Sequence, residues 1–567
     1  MIKQWVLREA GDKELVGKLA KAINVNLALA DVLVQRGVTN FSEAKAFFRP
    51  SLEELHDPFL MKDMAVAVDR LNEAIVNNDK VLVYGDYDVD GTCSVALFFG
   101  FLKEYFDEIE FYIPDRKLEG YGVSQRGIEY AIAEGVKLIV TIDCGIKSVD
   151  KVALAKENGV DVIICDHHEP GDDLPPAIAI LNPKQHDCSY PFEELCGCGV
   201  AFKLLHAFCV QNTIDFEGLF SRLDLVAVAT SSDIVPMVGE NRILTFFGLQ
   251  KLKNDPQVGL KAILDVAGVE PKDLSVSKVV FTIGPRINAA GRLEHAKGAV
   301  SLLLEKNYTK AFDKATAINS VNLDRRELDA TVLSQGLEMI VRNEEQSKKA
   351  TVLYNPGWHK GVVGIAASRL IENYYRPTII LTKSQGKVVG SARSVEGFSV
   401  YDAILSCEEF LEQFGGHRYA AGMTMDESNV LAFKAKFEDV VAATITEEQL
   451  IPKVQIDVEI NLDDITLNFQ KILNQMEPFG PLNMTPVFVA RNVKDAGGTR
   501  LLKGEHLKLE IEQGDSRKMN AIAFGRGDMY DAVKSGSFFD LCFTVDLNVF
   551  NGVTSLQLMV KDIKMKP

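Results

Sequence analysis

Short apolar runs recur between helical stretches from about residue 76 onward: VLVY (81–84), EIEFYI (108–113), KLIVTI (137–142), DVIIC (161–165) and AIAIL (177–181). Runs of this length without polar interruption suit strands buried on both faces, and their alternation with helices predicts a parallel sheet. Ahead of them, residues 1–75 repeat at helical spacing (LVGKLAKAI, LALADVLVQRG, SEAKAFF), with Gly37 and Pro50 as breaks, and predict a small helical lead-in. The run Leu223–Val235, LDLVAVATSSDIV, fits helix or strand equally by period. Residues 306–349 are charged and helical in period, with no Gly or Pro before Gly336, which suits a long connecting helix between two lobes. A second α/β unit follows over 350–446. From about 455 the period shifts to two (HLKLEIE, FTVDLNVF, VTSLQLMV), and Asn551-Gly552 between two such runs signals a hairpin. The expected fold class is therefore α/β: two α/β lobes with parallel-sheet cores, over 76–305 and 350–446, joined by a long helix. A C-terminal antiparallel β domain of OB type over 455–567 completes it.

Composition changes this picture little. At 567 residues the chain is too long for one core. Nine cysteines, an odd number scattered over a long chain, argue against a disulfide framework. No apolar run reaches membrane-spanning length and MIKQWVLREAGDKE lacks the apolar centre of a leader, so no membrane partner and a cytoplasmic location are expected. A net charge of −17 does not exclude a nucleic-acid partner, because a local basic groove can coexist with an acidic total.

The candidate chemistry sits directly after the predicted strands. Asp86, Asp88 and Asp90 follow VLVYG, closed by Gly91; Asp143 follows KLIVTI; Asp166-His167-His168 follows DVIIC. Read as extended chain, 86–90 would point its three carboxylates the same way, where their repulsion calls for a cation. Sites in open α/β sheets form at the carboxyl ends of strands, and Asp233 ends the ambiguous run further on. An EF-hand is excluded, since position twelve would be Leu97 and a strand precedes the loop. A merely solvated acidic turn accounts poorly for the other acids in similar settings. Asp and neutral His suit Mn²⁺, Mg²⁺ or Zn²⁺, carboxylate-rich sets lean to the harder ions, and acids from separate strands are what a two-metal site needs. His168 either faces substrate beside a metal-bound His167 or caps a turn. Cys188, Cys196 and Cys198 lack a second Cys/His pair at zinc-finger spacing. In the second unit, Gly415-Gly416-His417-Arg418 reads as a turn with exposed N–H groups that could cradle phosphate, and Gly390-Ser391-Ala392-Arg393 is similar. GPRINAAGRLEHA (284–296) adds Arg286 and Arg292; forked guanidinium donors suit phosphate. No Walker-type or H-E-x-x-H motif occurs.

VYGDYDVDG, TIDCG, CDHHEP and SSDIVP resemble the four motifs of the DHH phosphoesterase superfamily, and FGGHRYAAG resembles its DHHA1 domain. IPDRKLEGYG, VGENR, GPRINAAGR, GWHKGVVGIAASRL and MEPFGPLN are similar to blocks of the RecJ family, so the resemblance spans nearly the whole chain. It implies a 5′→3′ exonuclease specific for single-stranded DNA, serving DNA repair and recombination, with two divalent cations (Mn²⁺ or Mg²⁺) and release of 5′-mononucleotides. The implied metal ligands are Asp88, Asp90, Asp143, His167 and Asp233, with Asp143 bridging and Asp86 beside the metals. His168 would contact the scissile phosphate, and Arg116, Arg286, Arg292, Ser391, Arg393, Gly415, Gly416 and His417 would follow the DNA strand or its 5′ phosphate. Ser232 departs mildly from the small apolar residue or Gly usual before the fourth-motif Asp. A passage between the two lobes would admit a single strand only. The resemblance also suggests a monomer, with single-strand-binding protein and a RecQ-type helicase as partners. Other phosphodiesterases of the superfamily, acting on very short RNA or bisphosphate nucleotides, and a non-catalytic replication-fork scaffold are the rival readings. The β domain disfavours the first and the full ligand set disfavours the second.

Overall fold

A computed structural model describes residues 3–116, 118–293 and 296–566, so Lys117, Glu294 and His295 of the quoted motifs lie outside the described residues. The chain forms two compact units: residues 7–319 with 455–567, and residues 320–454 with the first few residues.

In the larger unit, helices α1 (Lys13–Ile23), α2 (Leu27–Gln35) and α3 (Phe41–Phe48) each start on an Asp or Asn whose side chain accepts a backbone N–H of the first turn. Their apolar stripe, including Leu19, Leu29 and Leu33, shares one core with Phe469, Phe488 and Phe539 of the C-terminal domain. The lead-in is thus a layer on that domain and does not stand alone. Helix α4 (Met64–Asn77) packs instead against the parallel sheet, with Met64, Val68 and Leu71 in the core of Val83, Leu138 and Ile163.

That sheet comprises β1 (Val81–Gly85), β2 (Ile109–Tyr112), β3 (Leu138–Ile142), β4 (Asp161–Cys165) and β5 (Ala179–Leu181), all parallel in the order β2-β1-β3-β4-β5. Val81 and Val83 enter the core on one face, and Leu82 and Tyr84 enter a second core with Ile139 and Ile164 on the other. Both faces are covered, as the uninterrupted apolar runs require. Helix α5 (Val89–Leu102) follows β1; α6 (Gln125–Ala133) and α7 (Val149–Glu157) follow β2 and β3. α8 (Gly197–Asn212) and α9 (Leu223–Asp233) are buried along most of their length. The ambiguous run is therefore a helix, decided by burial on all sides where period gave no preference. Residues 284–293 of the Gly-rich segment form the end of α10 (Val276–Leu293), with Pro285 inside it.

The predicted connector is α11 (Tyr308–Arg342), 35 residues long, along which the chain passes into the smaller unit. There the five strands β6 (Thr351–Tyr354), β7 (Thr378–Ser384), β8 (Lys387–Arg393), β9 (Gln413–His417) and β10 (Ala420–Met425) run in the order β9-β10-β8-β7-β6. Only β6 and β7 are parallel, so this sheet is mixed. Helices α12 (Val363–Asn373) and α13 (Val430–Thr444) cover it.

The C-terminal domain adds β11 (Val458–Glu459), helix α14 (Leu467–Gln475), β12 (Phe488–Asp495), β13 (Arg500–Leu502), β14 (His506–Glu512), β15 (Met519–Ala523), β16 (Phe539–Phe550) and β17 (Val553–Met565). The order is β11-β12-β16-β17-β15-β14-β13, and a further β12–β14 pairing curls the sheet towards a barrel. Most pairs are antiparallel; β11–β12 and β15–β17 are parallel. Asn551 and Gly552 both have positive φ at the β16–β17 turn, the geometry that two-residue hairpins with right-handed strand twist demand.

Candidate metal centre

The order β2-β1-β3 places the reversal of strand order between β1 and β3, and the crevice outside their carboxyl ends collects the acids. Asp86 follows β1 and Asp143 follows β3, while His167 and His168 follow β4. Asp233 arrives from elsewhere, as the last residue of α9.

The segment 86–90 is not extended as the alternation argument supposed. Asp88 caps α5, its Oδ1 accepting the Gly91 N–H at 3.0 Å, and Asp90 already lies in the first helical turn. Gly91 makes this possible: a Cβ there would lie 2.5 Å from the Asp86 carbonyl oxygen, so only glycine lets the helix begin directly against the strand end. The three carboxylates still converge, but into two groups. Ligand atoms of Asp86, Asp88 and Asp143 lie within 4.8 Å of one another, and so do those of Asp90, His167 and Asp233. Asp143 stands between the groups, its Oδ1 3.1 Å from His167 Nε2.

His167 Nε2 is the most telling atom. It is buried and makes no hydrogen bond, yet Asp143 Oδ1, Asp233 Oδ2 (3.7 Å) and Asp90 Oδ2 (3.9 Å) surround it. Burial, reinforced by the neighbouring His168, pushes its pKa down to about 3, so the ring is neutral and offers a lone pair. Burial also drives the acids upward: Asp86 to about 8, Asp90 to about 7, Asp233 to about 9, and Asp143 well above the carboxylate range, with neighbouring carboxylates adding to each. A buried neutral imidazole among carboxylates that repel each other is a donor set that fits divalent cations of the harder class.

His168 differs in kind. Its Nδ1 lies 2.7 Å from Asp166 Oδ1 and its Nε2 2.9 Å from the Tyr121 hydroxyl, so both ring nitrogens are engaged. Burial lowers its pKa, but the Asp166 carboxylate outweighs this and the net shift is upward. Asp166 is used up locally: it accepts the backbone N–H groups of Ile146, His167 and His168, which builds the turn that presents the two histidines. The turn is capped by Asp166 and not by the His168 ring.

Around the centre, Arg116 sits 5.1 Å from the ring centroid of Tyr87, which meets Tyr121 edge-on. Arg286 and Arg292 both lie on α10; Arg286 Nε donates to Asn319 Oδ1 and Nη1 to the Thr282 carbonyl. Cys196 and Cys198 are buried in the core, with Cys196 Sγ 3.4 Å from Thr230 Oγ1, and among the described residues no metal-competent group includes a cysteine.

In the smaller unit, Gly415 and Gly416 do not form a turn. They lie in edge strand β9, because pairing with β10 (Gly415 opposite Gly422, Gly416 opposite Ala421) extends the chain through them. Gly416 has φ +144 and a Cβ there would approach the Ala420 carbonyl oxygen to 2.3 Å, so its glycine serves close strand packing. Ser391 and Arg393 likewise lie in strand β8. Register nonetheless aligns these residues in two rows on one face: Ser391, Gly422, Gly415, and then Arg393, Ala420, His417. Arg393 Nη1 donates to Ser391 Oγ at 3.0 Å. The start of α12 packs on the same residues, where a Cβ on Gly364 would lie 2.9 Å from Ser391 Oγ. Tyr121 was missed in the sequence reading, although GYG within the quoted 113–122 block carried it; Gly197 and Cys198, discussed below, were weighed only as part of a zinc motif.

Residues 80–230 match the DHH family, N-terminal domain, residues 347–443 the DHHA1 domain, and residues 456–562 the RecJ OB domain. The chain is similar to the single-stranded-DNA-specific exonuclease RecJ of Bacillus subtilis (strain 168), 35% identical over 566 residues, covering 99% of this chain and 70% of that one. It is 34% identical over 522 residues to the protein of the same name from Escherichia coli (strain K12), covering 88% of this chain and 89% of that one. Among solved structures, RecJ of Thermus thermophilus in complex with Mn²⁺ superposes with a TM-score of 0.85 at 28% identity, over 100% of this chain and 80% of that one. The Mg²⁺ complex gives 0.79 at 26% identity, over 100% and 78%.

Proposed function

The chain belongs to the RecJ family, and from that membership and the geometry of its acidic crevice we propose that it is a metal-dependent exonuclease specific for single-stranded DNA, working from the 5′ end. The observation that carries the reading is the unbonded, buried His167 Nε2 facing Asp90, Asp143 and Asp233, beside a second acidic group that shares Asp143. Asp86, Asp88 and Asp143 would hold one cation and Asp90, His167 and Asp233 the other, Mn²⁺ or Mg²⁺, with Asp143 placed to serve either. Bound there, such a pair supplies a water nucleophile at neutral pH and neutralises charge on the phosphoryl oxygens of a phosphodiester.

The chain's own groups do the rest. His168 keeps Nδ1 on Asp166, and its Nε2 would exchange the Tyr121 hydroxyl for the scissile phosphate, to which it would donate. Arg116, Arg286 and Arg292 neutralise the strand, and the Tyr87 and Tyr121 rings offer faces for bases. Ser391, Arg393, His417 and the Gly415–Gly416 segment receive the terminal 5′ phosphate and so set polarity; their alignment across β8, β10 and β9 supports this role. The OB-like domain extends the track for the single strand. The expected product is a 5′-mononucleotide, in DNA repair and recombination. No helix among the described residues is long and apolar enough to cross a membrane. We place the protein in the cytoplasm as a monomer, with single-strand-binding protein and a RecQ-type helicase as partners. Digestion of 5′- and 3′-labelled single strands with Mn²⁺, Mg²⁺ and EDTA tests the reading. Loss of the 5′ label first as mononucleotide, abolished by EDTA, is expected; equal attack on duplex ends or on the 3′ label would refute it.

A further inference from the structure

The Cys196-Gly197-Cys198 motif, unused by any zinc site, lies against the metal centre through its backbone. Gly197 opens α8, a 16-residue helix, and its N–H donates to Asp90 Oδ2 at 2.7 Å, while the Cys198 N–H donates to Asp90 Oδ1 at 2.9 Å. Ser94 Oγ reaches the same Oδ1 at 3.4 Å. Asp90 is thus gripped by both oxygens in a fully buried position, and Oδ2 is the oxygen near His167 Nε2. The same glycine touches a second acid: a Cβ on Gly197 would lie 2.6 Å from Asp143 Cβ, 2.8 Å from its Oδ1 and 2.9 Å from its Cα. Asp143 can give little there, since its backbone is held at φ +62 and its N–H is bonded to the Cys165 carbonyl. Main-chain atoms cannot swing aside as the end of a long side chain can, so a methyl group at 197 has to displace one carboxylate, the other, or the helix end.

We propose that Gly197 is a positioning residue for the metal pair: its amide fixes Asp90, its missing Cβ admits Asp143, and the spacing of these two acids sets the spacing of the two cations. The inference rests on the two-cation reading above. Placement of ligands to within about half an ångström is what such a centre requires. The device uses α8's N-terminal amides on a carboxylate, and the Cys196 sulfur caps the same helix by accepting the Gly199 N–H at 3.4 Å.

The test is Mn²⁺ titration of the EDTA-treated full chain, followed by electron paramagnetic resonance and calorimetry without DNA. The unaltered chain should take up two Mn²⁺ ions with an exchange-coupled spectrum; if it does not, the two-cation reading itself fails. Gly197→Ala should bind at least one ion tenfold or more weakly and shift towards the six-line signal of isolated Mn²⁺, while melting in EDTA within a few degrees of the parent. Gly199→Ala, whose added methyl would meet the Leu195 side chain and neither acid, should keep the coupled pair. A Gly197→Ala chain with parental affinity and an unchanged coupled spectrum overturns the proposal. If that variant does not fold, hydrogen exchange of the unaltered, metal-free chain decides instead. The Gly197 and Cys198 amides should exchange as slowly as those of the β3 core, and rapid exchange overturns the proposal.

Discussion

Loading the metal-free protein with Mn²⁺ at pH 7 should expel protons, in a number that follows from the shifts of its acids. With Asp233 at about 9, Asp86 at about 8 and Asp90 at about 7, burial leaves the first two mostly protonated at neutral pH and the third about half so. Together these hold roughly two and a half protons, before Asp143 adds its share. Cations that require the carboxylates in ionised form must displace them, so the apparent affinity for the filled pair should climb by more than about two orders of magnitude per pH unit near neutrality. At pH 9.5 most of these protons are already gone, and the release should shrink accordingly. Indicator-dye titration in weak buffer, or calorimetry in two buffers of different ionisation enthalpy, counts the protons directly. Stability carries the opposite sign in the metal-free chain. These acids bind more protons in the folded than in the unfolded state from about pH 4 to 9, so their contribution to stability falls as pH rises through that window, and Mn²⁺ should reverse the fall. Fewer than about half a proton released at pH 7, or a pH-independent affinity, would show that these carboxylates do not receive the cations.

Further expectations are narrower. Asp143→Asn should lower metal-dependent digestion of single strands by about a thousandfold or more, with the metal-free fold as stable as the parent or more so, because a buried carboxylate is removed; thermal melting and a nuclease assay check both halves. Arg393→Ala should raise KM for 5′-phosphorylated strands about tenfold and leave strands with a 5′ hydroxyl little affected; equal effects on both would remove the terminal phosphate from that face. Lys203→Ala should destabilise the larger unit by about 3–5 kcal/mol in denaturant titration, because Glu240, which pairs with Lys203 at 3.0 Å, would be left charged in a fully buried site. Its Mn²⁺ affinity should stay at the parental value, since neither residue approaches the centre.

How far the chain could be read in advance depended on whether local pattern or distant contact decided each feature. The five uninterrupted apolar runs specified a parallel sheet because strands buried on both faces have no polar positions to spare, and the acids behind them declared the functional edge. The Asn551-Gly552 hairpin was legible for the same local reason, as two consecutive residues must take positive φ. The run ending in Asp233 was not, because a helix and a strand buried on every side leave the same apolar trace; only its packing among α5, α8 and α10 made it helix α9. Gly415–Gly416 looked like a turn because pairs of glycines usually punctuate, and became strand once β10 supplied the hydrogen-bonding partner. By itself, then, the order of residues determined which side chains could ligate a cation and on which sheet edge most of them would lie. The tertiary structure decided how Asp86, Asp88 and Asp90 divide between two groups, which histidine keeps a free lone pair, and that the amides of Gly197 and Cys198 hold Asp90. Those are distances between segments more than a hundred residues apart, and no local propensity encodes them.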